Sequence, residues 1–597
     1  MKARTVSVRP TLGPVAAAEV VSVIAFAALW PWQWGWWPWA TITVAALAVM
    51  VITVHRRNLA AWCVARIRHL RQRRYATNVG AAVDIHHGNA IYGVRTAGTE
   101  AVTMIRVDGR PYMPTYLRGS TVSHTANELP LEVLTGLLDQ PADLHIGIDI
   151  VSDGQRVRSG TGYPELYSTL LADRPAAGQR TTRLIVRLDL PTSVRGLLIR
   201  RSVGKAAAAV TERIIKALEQ EGIRATAVNA EDLNAALTSL SLGLAVAPTP
   251  PEPADELDDT EDAAGDAAAD AGEPDEDSDG PSEAGRHRLA ANRPPARPRK
   301  VREPRVRPGV DVLWNRIYTK PGYVTSYYFS PEDITTDAFN RMWALRADHV
   351  VHTIILRKQH DPNQRHYGKV LVSSLVRTTD PRPPQGPPTL FLNTLPGDQY
   401  DAALRAAPTS APALKLPAKV LESPRGLTVP IGETGILVGS ARHDIPTAHP
   451  AVQRDDLVMW PLTDPQRPTR ITMATSDFYV RQLLIRTAAT GKKIAIYSSD
   501  PQRWMSIAEP NIAVVTPGRP AEFVPSIIVN DNAQIAPSAG LSSTVITLGR
   551  SQSGAPDMRF QQIDESTIRI IHGARSMDIS QLVFRHEQTW TGEPNVA

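Results

Sequence analysis

The sequence predicts an N-terminal two-helix transmembrane hairpin followed by cytoplasmic mixed α/β domains. Three observations lead there. Residues 11–54 form two apolar runs with a single charge, Glu19, near the start of the first. Arginines crowd the segment that follows. Beyond residue 77, apolar residues alternate with period two in some stretches and recur at helical spacing in others.

The hairpin comes first. Val15 to Trp30 carries only Glu19, and Trp37 to Val54 carries no charge. Eighteen helical residues reach about 27 Å, close to the roughly 30 Å of a hydrocarbon core. Trp30, Trp32, Trp34, Trp36, Trp37 and Trp39 crowd the turn between the runs, half of the chain's 12 tryptophans. Amphipathic rings gather this way at a membrane interface. Lys2, Arg4 and Arg9 precede the hairpin, while Arg56, Arg57, Arg66, Arg68, Arg71, Arg73 and Arg74 follow it. The positive-inside rule then places both ends in the cytoplasm, with residues 1–10 a short cytoplasmic N-terminus. No small-residue cleavage site follows the first run, which argues against a signal peptide. Glu19 sits near the cytoplasmic end, where a solvated interfacial position suits it better than an intramembrane role. Residues 55–76 read as a basic juxtamembrane helix whose arginines face anionic lipid. The lone Cys63 excludes an internal disulfide framework.

Residues 77–245 read as the first part of the α/β body. Ala90 to Val94 and Val102 to Val107 are short strands with hairpin signals at Gly98 and Asp108-Gly109. His145 to Val151 and Arg183 to Leu190 alternate as half-buried strands. Ser202 to Gln220 is an amphipathic helix stopped by Gly222, a strand follows over Ile223 to Val228, and Asn229 can cap the next helix. This β-α-β order with helices of crossover length points to a sheet layered with helices.

Residues 246–310 read as a disordered linker. Fifteen Asp or Glu and no Lys or Arg occupy 247–285, whereas nine Lys or Arg and only Glu303 among the acids occupy 286–307. Such composition cannot bury a core. The basic block lacks aromatics for base stacking and has an acidic neighbour, so nucleic acid is not an expected partner. Residues 311–590 form the second part of the body, with strands over Tyr323 to Phe329, Val350 to Arg357 and Val370 to Arg377 and a helix over Asp337 to Ala347. Its clearest unit is a strand (Ile471 to Ala474), a helix (Asp477 to Thr490) ended by Gly491, and a strand (Ile494 to Tyr497). Residues 591–597 are a tail.

No catalytic constellation emerges. The Thr475-Ser476-Asp477 loop lacks the glycine a pyrophosphate needs. Thr490-Gly491-Lys492 resembles a Walker A end, but it follows a helix and Lys493 stands where Ser or Thr belongs. Ser440, His443 and Asp444 are merely neighbours in sequence. His86-His87, with Asp84 nearby, is a poor metal candidate without further ligands. The Asp275, Asp277, Asp279 pattern falls in the linker. Catalytic, cofactor-binding and metal residues are therefore expected to be none.

Several stretches together resemble the EccE family of type VII (ESX) secretion systems. They are the hairpin with its arginine flank, Ala90-Ile91-Tyr92-Gly93-Val94-Arg95, the run Gly432 to Gly439 followed by Asp444-Ile445-Pro446, and Arg486 to Gly491 leading through Ser498 to Pro501 and Trp504. The resemblance covers most of the chain outside the linker. It implies a non-enzymatic structural subunit of the inner-membrane core complex, multi-pass with its bulk in the cytoplasm, assembled with EccB, the EccC ATPase and EccD. It also implies a degenerate glycosyltransferase-like body with no cofactor. The alternative reading is a membrane-anchored glycosyltransferase acting on a lipid-linked sugar.

Overall fold

The computed structural model describes residues 6–8, 12–29, 36–54, 57–72, 75–200, 202–247, 309–364, 366–412, 414–423, 425–515, 521–531, 544–549 and 555–592. The linker expected over 246–310 lies almost wholly outside the described residues, as does the 591–597 tail after Gly592.

The transmembrane hairpin is not what the structure builds. Helix α1 covers Leu12–Leu29 and helix α2 covers Trp36–Val51. Among the described residues no helix is long and apolar enough to cross a membrane. The second run is broken at its end. Ile52–Val54 leaves the helix and pairs as a strand with Val6–Val8, which shortens α2 to 16 residues, about 24 Å. Ile52 and Val54 are β-branched, with better strand than helix propensity. The two helices do pack on each other, and the Trp39 indole donates to the Ser22 carbonyl at 3.1 Å. Helix α3, Leu59–Gln72, then enters the body of the chain.

The body is built mainly of strands, where a mixed α/β body is expected. In the first sheet the strands are β1 (Ala82–His87), β2 (Ala90–Ala97), β3 (Glu100–Val107), β4 (Leu144–Gln155), β5 (Gln179–Asp189), β6 (Gly322–Phe329), β7 (His349–Lys358) and β8 (Val370–Asp380). Their order is β6-β8-β7-β4-β5-β3-β2-β1, and every neighbouring pair is antiparallel. The β4–β7 pairing joins sequence from before and after residues 246–310 in one ladder, with Ile148 opposite Leu356 and Gly154 opposite Val350.

The expected crossovers fail because the intervening helices go elsewhere. Helix α4 (Tyr163–Leu171), between β4 and β5, packs into the second core. Helix α5 (Val203–Gln220) covers one face of the first sheet through Ala206, Ala207, Val210, Ile214 and Leu218, and the short strand after it pairs antiparallel with β3. Helix α6 (Ala230–Leu240), capped by the Asn229 side chain, covers the opposite face with Leu233, Leu237 and Leu240. Both faces of the sheet are therefore buried, and β4 is buried along nearly its whole length.

The second sheet holds β9 (Ile436–Ala441), β10 (Leu457–Trp460), β11 (Thr469–Ala474), β12 (Ile494–Ser498), β13 (Ile512–Val515), β14 (Ile527–Asp531), β15 (Thr544–Leu548), β16 (Met558–Gln562), β17 (Thr567–His572) and β18 (Arg575–Ser580). Their order is β13-β12-β14-β15-β11-β16-β17-β18-β9-β10, parallel from β13 to β16 and antiparallel beyond. Helix α7 (Asp477–Ala489) lies between β11 and β12 as the sequence predicts, capped by Ser476 and followed by Gly491 at φ +99°. A hairpin from the first part of the chain, Thr115–Arg118 with Val122–Thr125, extends this sheet beside β10.

Candidate functional site

Of the predicted interface tryptophans, Trp30, Trp32 and Trp34 lie outside the described residues. Trp36 and Trp37 open α2 with rings stacked 4.1 Å apart and largely exposed, and Trp39 meets Phe26 edge-on at 5.8 Å. Arg56, Arg73 and Arg74 lie outside the described residues, and Arg57 falls in a two-residue strand before α3. On α3 the remaining arginines divide. The Arg66 guanidinium sits 5.1 Å over the Trp314 ring, Arg68 reaches Asp401 at 3.6 Å, and Arg71 is exposed. Trp62 and His69 also meet Trp314, so one face of the basic helix docks on the body.

The weaker sequence candidates disperse. His87 pairs with Glu212 at 3.3 Å, and Asp84 accepts from the Ala230 N–H at the start of α6. Lys492 reaches Glu433 at 2.6 Å, which gives its ammonium a carboxylate partner. Asp444 accepts from the Arg454 backbone, while Ser440 lies within β9.

Three groups that sequence reasoning missed are drawn together by the fold. The first surrounds Asp149, fully buried on β4. Its Oδ2 accepts from Arg187 Nε at 2.7 Å, its Oδ1 from Arg405 Nη2 at 2.7 Å, and Arg357 lies 3.3 Å away. Burial opposes the charge of Asp149, but the guanidinium groups of Arg405, Arg357 and Arg187 outweigh it and hold the carboxyl at about 2. Arg357 reaches across Gly147, where any Cβ would overlap its guanidinium. Arg187 also donates to the Ala407 and Thr409 carbonyls, and Arg95 donates to Pro408 O at 2.7 Å. This network clamps residues 405–409 onto strands from the first part of the chain.

The second group surrounds Glu587, also fully buried. It accepts from Arg486 at 2.8 and 2.9 Å, from Gln482 at 2.7 Å and from the Tyr163 hydroxyl at 2.5 Å. Burial and the Glu587 carboxylate push the Tyr163 hydroxyl well up, and it stays protonated as a donor. One carboxylate thus ties α4, α7 and the C-terminal turn together. Most donors in the two networks go to protein acceptors, while Arg357 Nη2 and Arg405 Nε are buried without a hydrogen-bond partner.

The third group is different in kind. Asp139, His145 and His360 place one donor atom each within 4.8 Å of one another. Burial, and then the neighbouring His145 ring, lower the pKa of His360, which favours the neutral imidazole.

Two clefts open between these elements. One of about 610 Å³ is lined by Tyr327, Arg341, Arg346, Asp380 and the proline-rich stretch around Pro384 and Pro388. The other, about 300 Å³, is lined by Arg106, Asp108, Arg183 and Arg224. Three of its cations are paired with carboxylates: Arg224 forks onto Asp464 at 3.0 Å twice, Arg106 meets Asp108 at 3.1 Å, and Arg183 meets Asp153 at 3.3 Å. The lining hydroxyls are bonded to carboxylates as well: Thr378 donates to Asp380 at 2.9 Å in the first cleft and Thr463 to Glu433 at 3.1 Å in the second.

Comparison with known proteins decides the class. The family model described as a type VII ESX secretion system translocon, EccE, matches residues 176–269, a stretch that contains β5, α5 and α6. The ESX-2 secretion system protein EccE2 of Mycobacterium tuberculosis (strain CDC 1551 / Oshkosh) is 24% identical over 523 residues, covering 83% of this chain and 82% of that one. The chain is similar to proteins of the EccE family. Both descriptions name components of a type VII (ESX) secretion system, and neither names an enzyme.

Proposed function

We propose that this chain, similar to EccE proteins, is a structural subunit of the type VII (ESX) core complex and supports assembly and stability of the export channel. In this reading it works beside EccB, the EccC ATPase and EccD, at the inner (cytoplasmic) membrane with its two sheets on the cytoplasmic side. The exposed Trp36 and Trp37 rings and the exposed Arg71 suit the headgroup region, where amphipathic rings and guanidinium groups are both favourable. The observation that carries the proposal is a likeness running over 83% of the chain, through both sheets, to a protein named for its secretion system.

The test is affinity purification of the tagged chain from detergent-solubilised cell membranes. The expected result is a large assembly containing an ATPase, and loss of export when the gene is deleted. A chain recovered alone, in a strain whose export survives the deletion, would overturn the proposal.

A further inference from the structure

We propose that Asp139, His145 and His360 form a binding site for a divalent transition-metal ion of the zinc type, open at its fourth position. The topology makes the juxtaposition. Asp139 and His145 stand directly opposite each other in the two-residue ladder that Asp139–Gln140 makes with the start of β4. The β4–β7 register, running from Gly154 opposite Val350 to Ile148 opposite Leu356, brings the end of β7 level with His145 and delivers His360 to the same spot.

The chemistry fits at each atom. His145 Nδ1 lies 3.3 Å from Asp139 Oδ1, and His360 Nε2 lies 3.7 Å from the same oxygen. Around tetrahedral zinc, with bonds of about 2.0–2.1 Å, donor atoms sit roughly 3.3 Å apart, so one contact already matches and the other needs a small closure. His360 Nε2 is buried without a hydrogen-bond partner, and its distance from Asp139 is too long to be one. Asp139 uses its other oxygen for Lys358, which leaves Oδ1 facing the imidazoles.

An orienting carboxylate is also present. Asp143 Oδ1 lies 3.2 Å from His145 Nε2, so it can accept the proton there and leave the Nδ1 lone pair for a cation. Carboxylate–histidine–metal relays have this form. The turn that presents Asp143 has both Ala142 and Asp143 in the left-handed region, at φ +65° and +60°, a conformation costly for residues with a Cβ. The surroundings distinguish the group from a plain acidic cluster: two imidazoles, one carboxylate ligand and one orienting carboxylate.

The experiment is titration of the full chain, freed of metal by chelation, with zinc sulfate alone, followed by calorimetry and by the thermal midpoint. One equivalent should bind and raise the midpoint. The Asp143→Asn change sits on an exposed side chain, so the fold should survive it while affinity falls by about 10- to 100-fold. Replacing both His145 and His360 by Ala should abolish the binding and the midpoint rise, whereas changing both His86 and His87 to Ala should leave them intact. A wild-type chain that takes up no zinc at about 100 μM, or one whose binding survives loss of both His145 and His360, would overturn the proposal.

Discussion

At the residue scale the decisive feature is a carboxylate that sequence patterning reads as solvent-facing. Asp149 lies in the alternation His145 to Val151 on the side opposite Ile146, Ile148 and Ile150, where an exposed polar residue is the ordinary expectation. The structure buries it fully, because the second face of the sheet is also covered. Removing its charge strands three guanidinium groups, and breaking a buried pair of this kind costs about 3–5 kcal/mol. Asp149→Ala should therefore lower the unfolding free energy by that order in denaturant titration. The sign with pH follows from the depressed carboxyl. Its contribution is fully present above the ordinary aspartate range near 4 and is lost as pH falls through about 2. The wild-type advantage over Asp149→Ala should accordingly shrink on acidification. An advantage unchanged between pH 5 and pH 2 would mean that the charge contributes nothing. None of Arg187, Arg357 or Arg405 is near Asp149 in sequence, which is why periodicity could not pair them.

At the element scale local signals were legible and partners were not. Asn229 as a helix cap, Gly491 as a stop, and the strand–helix–strand of β11, α7 and β12 all follow from short-range chemistry, and the structure contains them. The antiparallel order of the first sheet does not follow from it, since a helix between two strands reads as a crossover until it is known which core the helix enters. Helix α4 illustrates the ambiguity: Tyr163 and Tyr167 belong to the second core although their neighbours in sequence form the first sheet. Helix α2 illustrates the opposite error, in which an apolar run was counted as one helix while its β-branched end joined a strand. The capping reading is open to measurement. The Asn229 side chain accepts from the Asp232 N–H at 2.8 Å, so Asn229→Ala should cost about 1 kcal/mol and speed hydrogen exchange at the first turn of α6, while Asn229→Asp should do neither. Equal exchange in all three proteins would show that packing alone sets that helix end.

At the scale of the whole molecule the question is whether the sequence on the two sides of residues 246–310 behaves as one body. The ladder between β4 and β7 crosses that boundary over seven residue pairs, and strands on both its sides bury the same apolar cores. The Asp149 and Glu587 networks add charge-assisted bonds from Arg405 to Asp149 and from Tyr163 to Glu587. A nick within 248–308 cuts none of these contacts. The covalent link only sets the effective concentration of one part near the other, a modest term beside a shared sheet and core. Limited proteolysis confined to 248–308 should thus yield two fragments that migrate together in native size exclusion and separate only in denaturant. The unfolding midpoint of the nicked form should become dependent on protein concentration, as for any two-chain complex. Fragments that part without denaturant would mean that the shared ladder is too weak to hold the body together and that the intact chain depends on its tether.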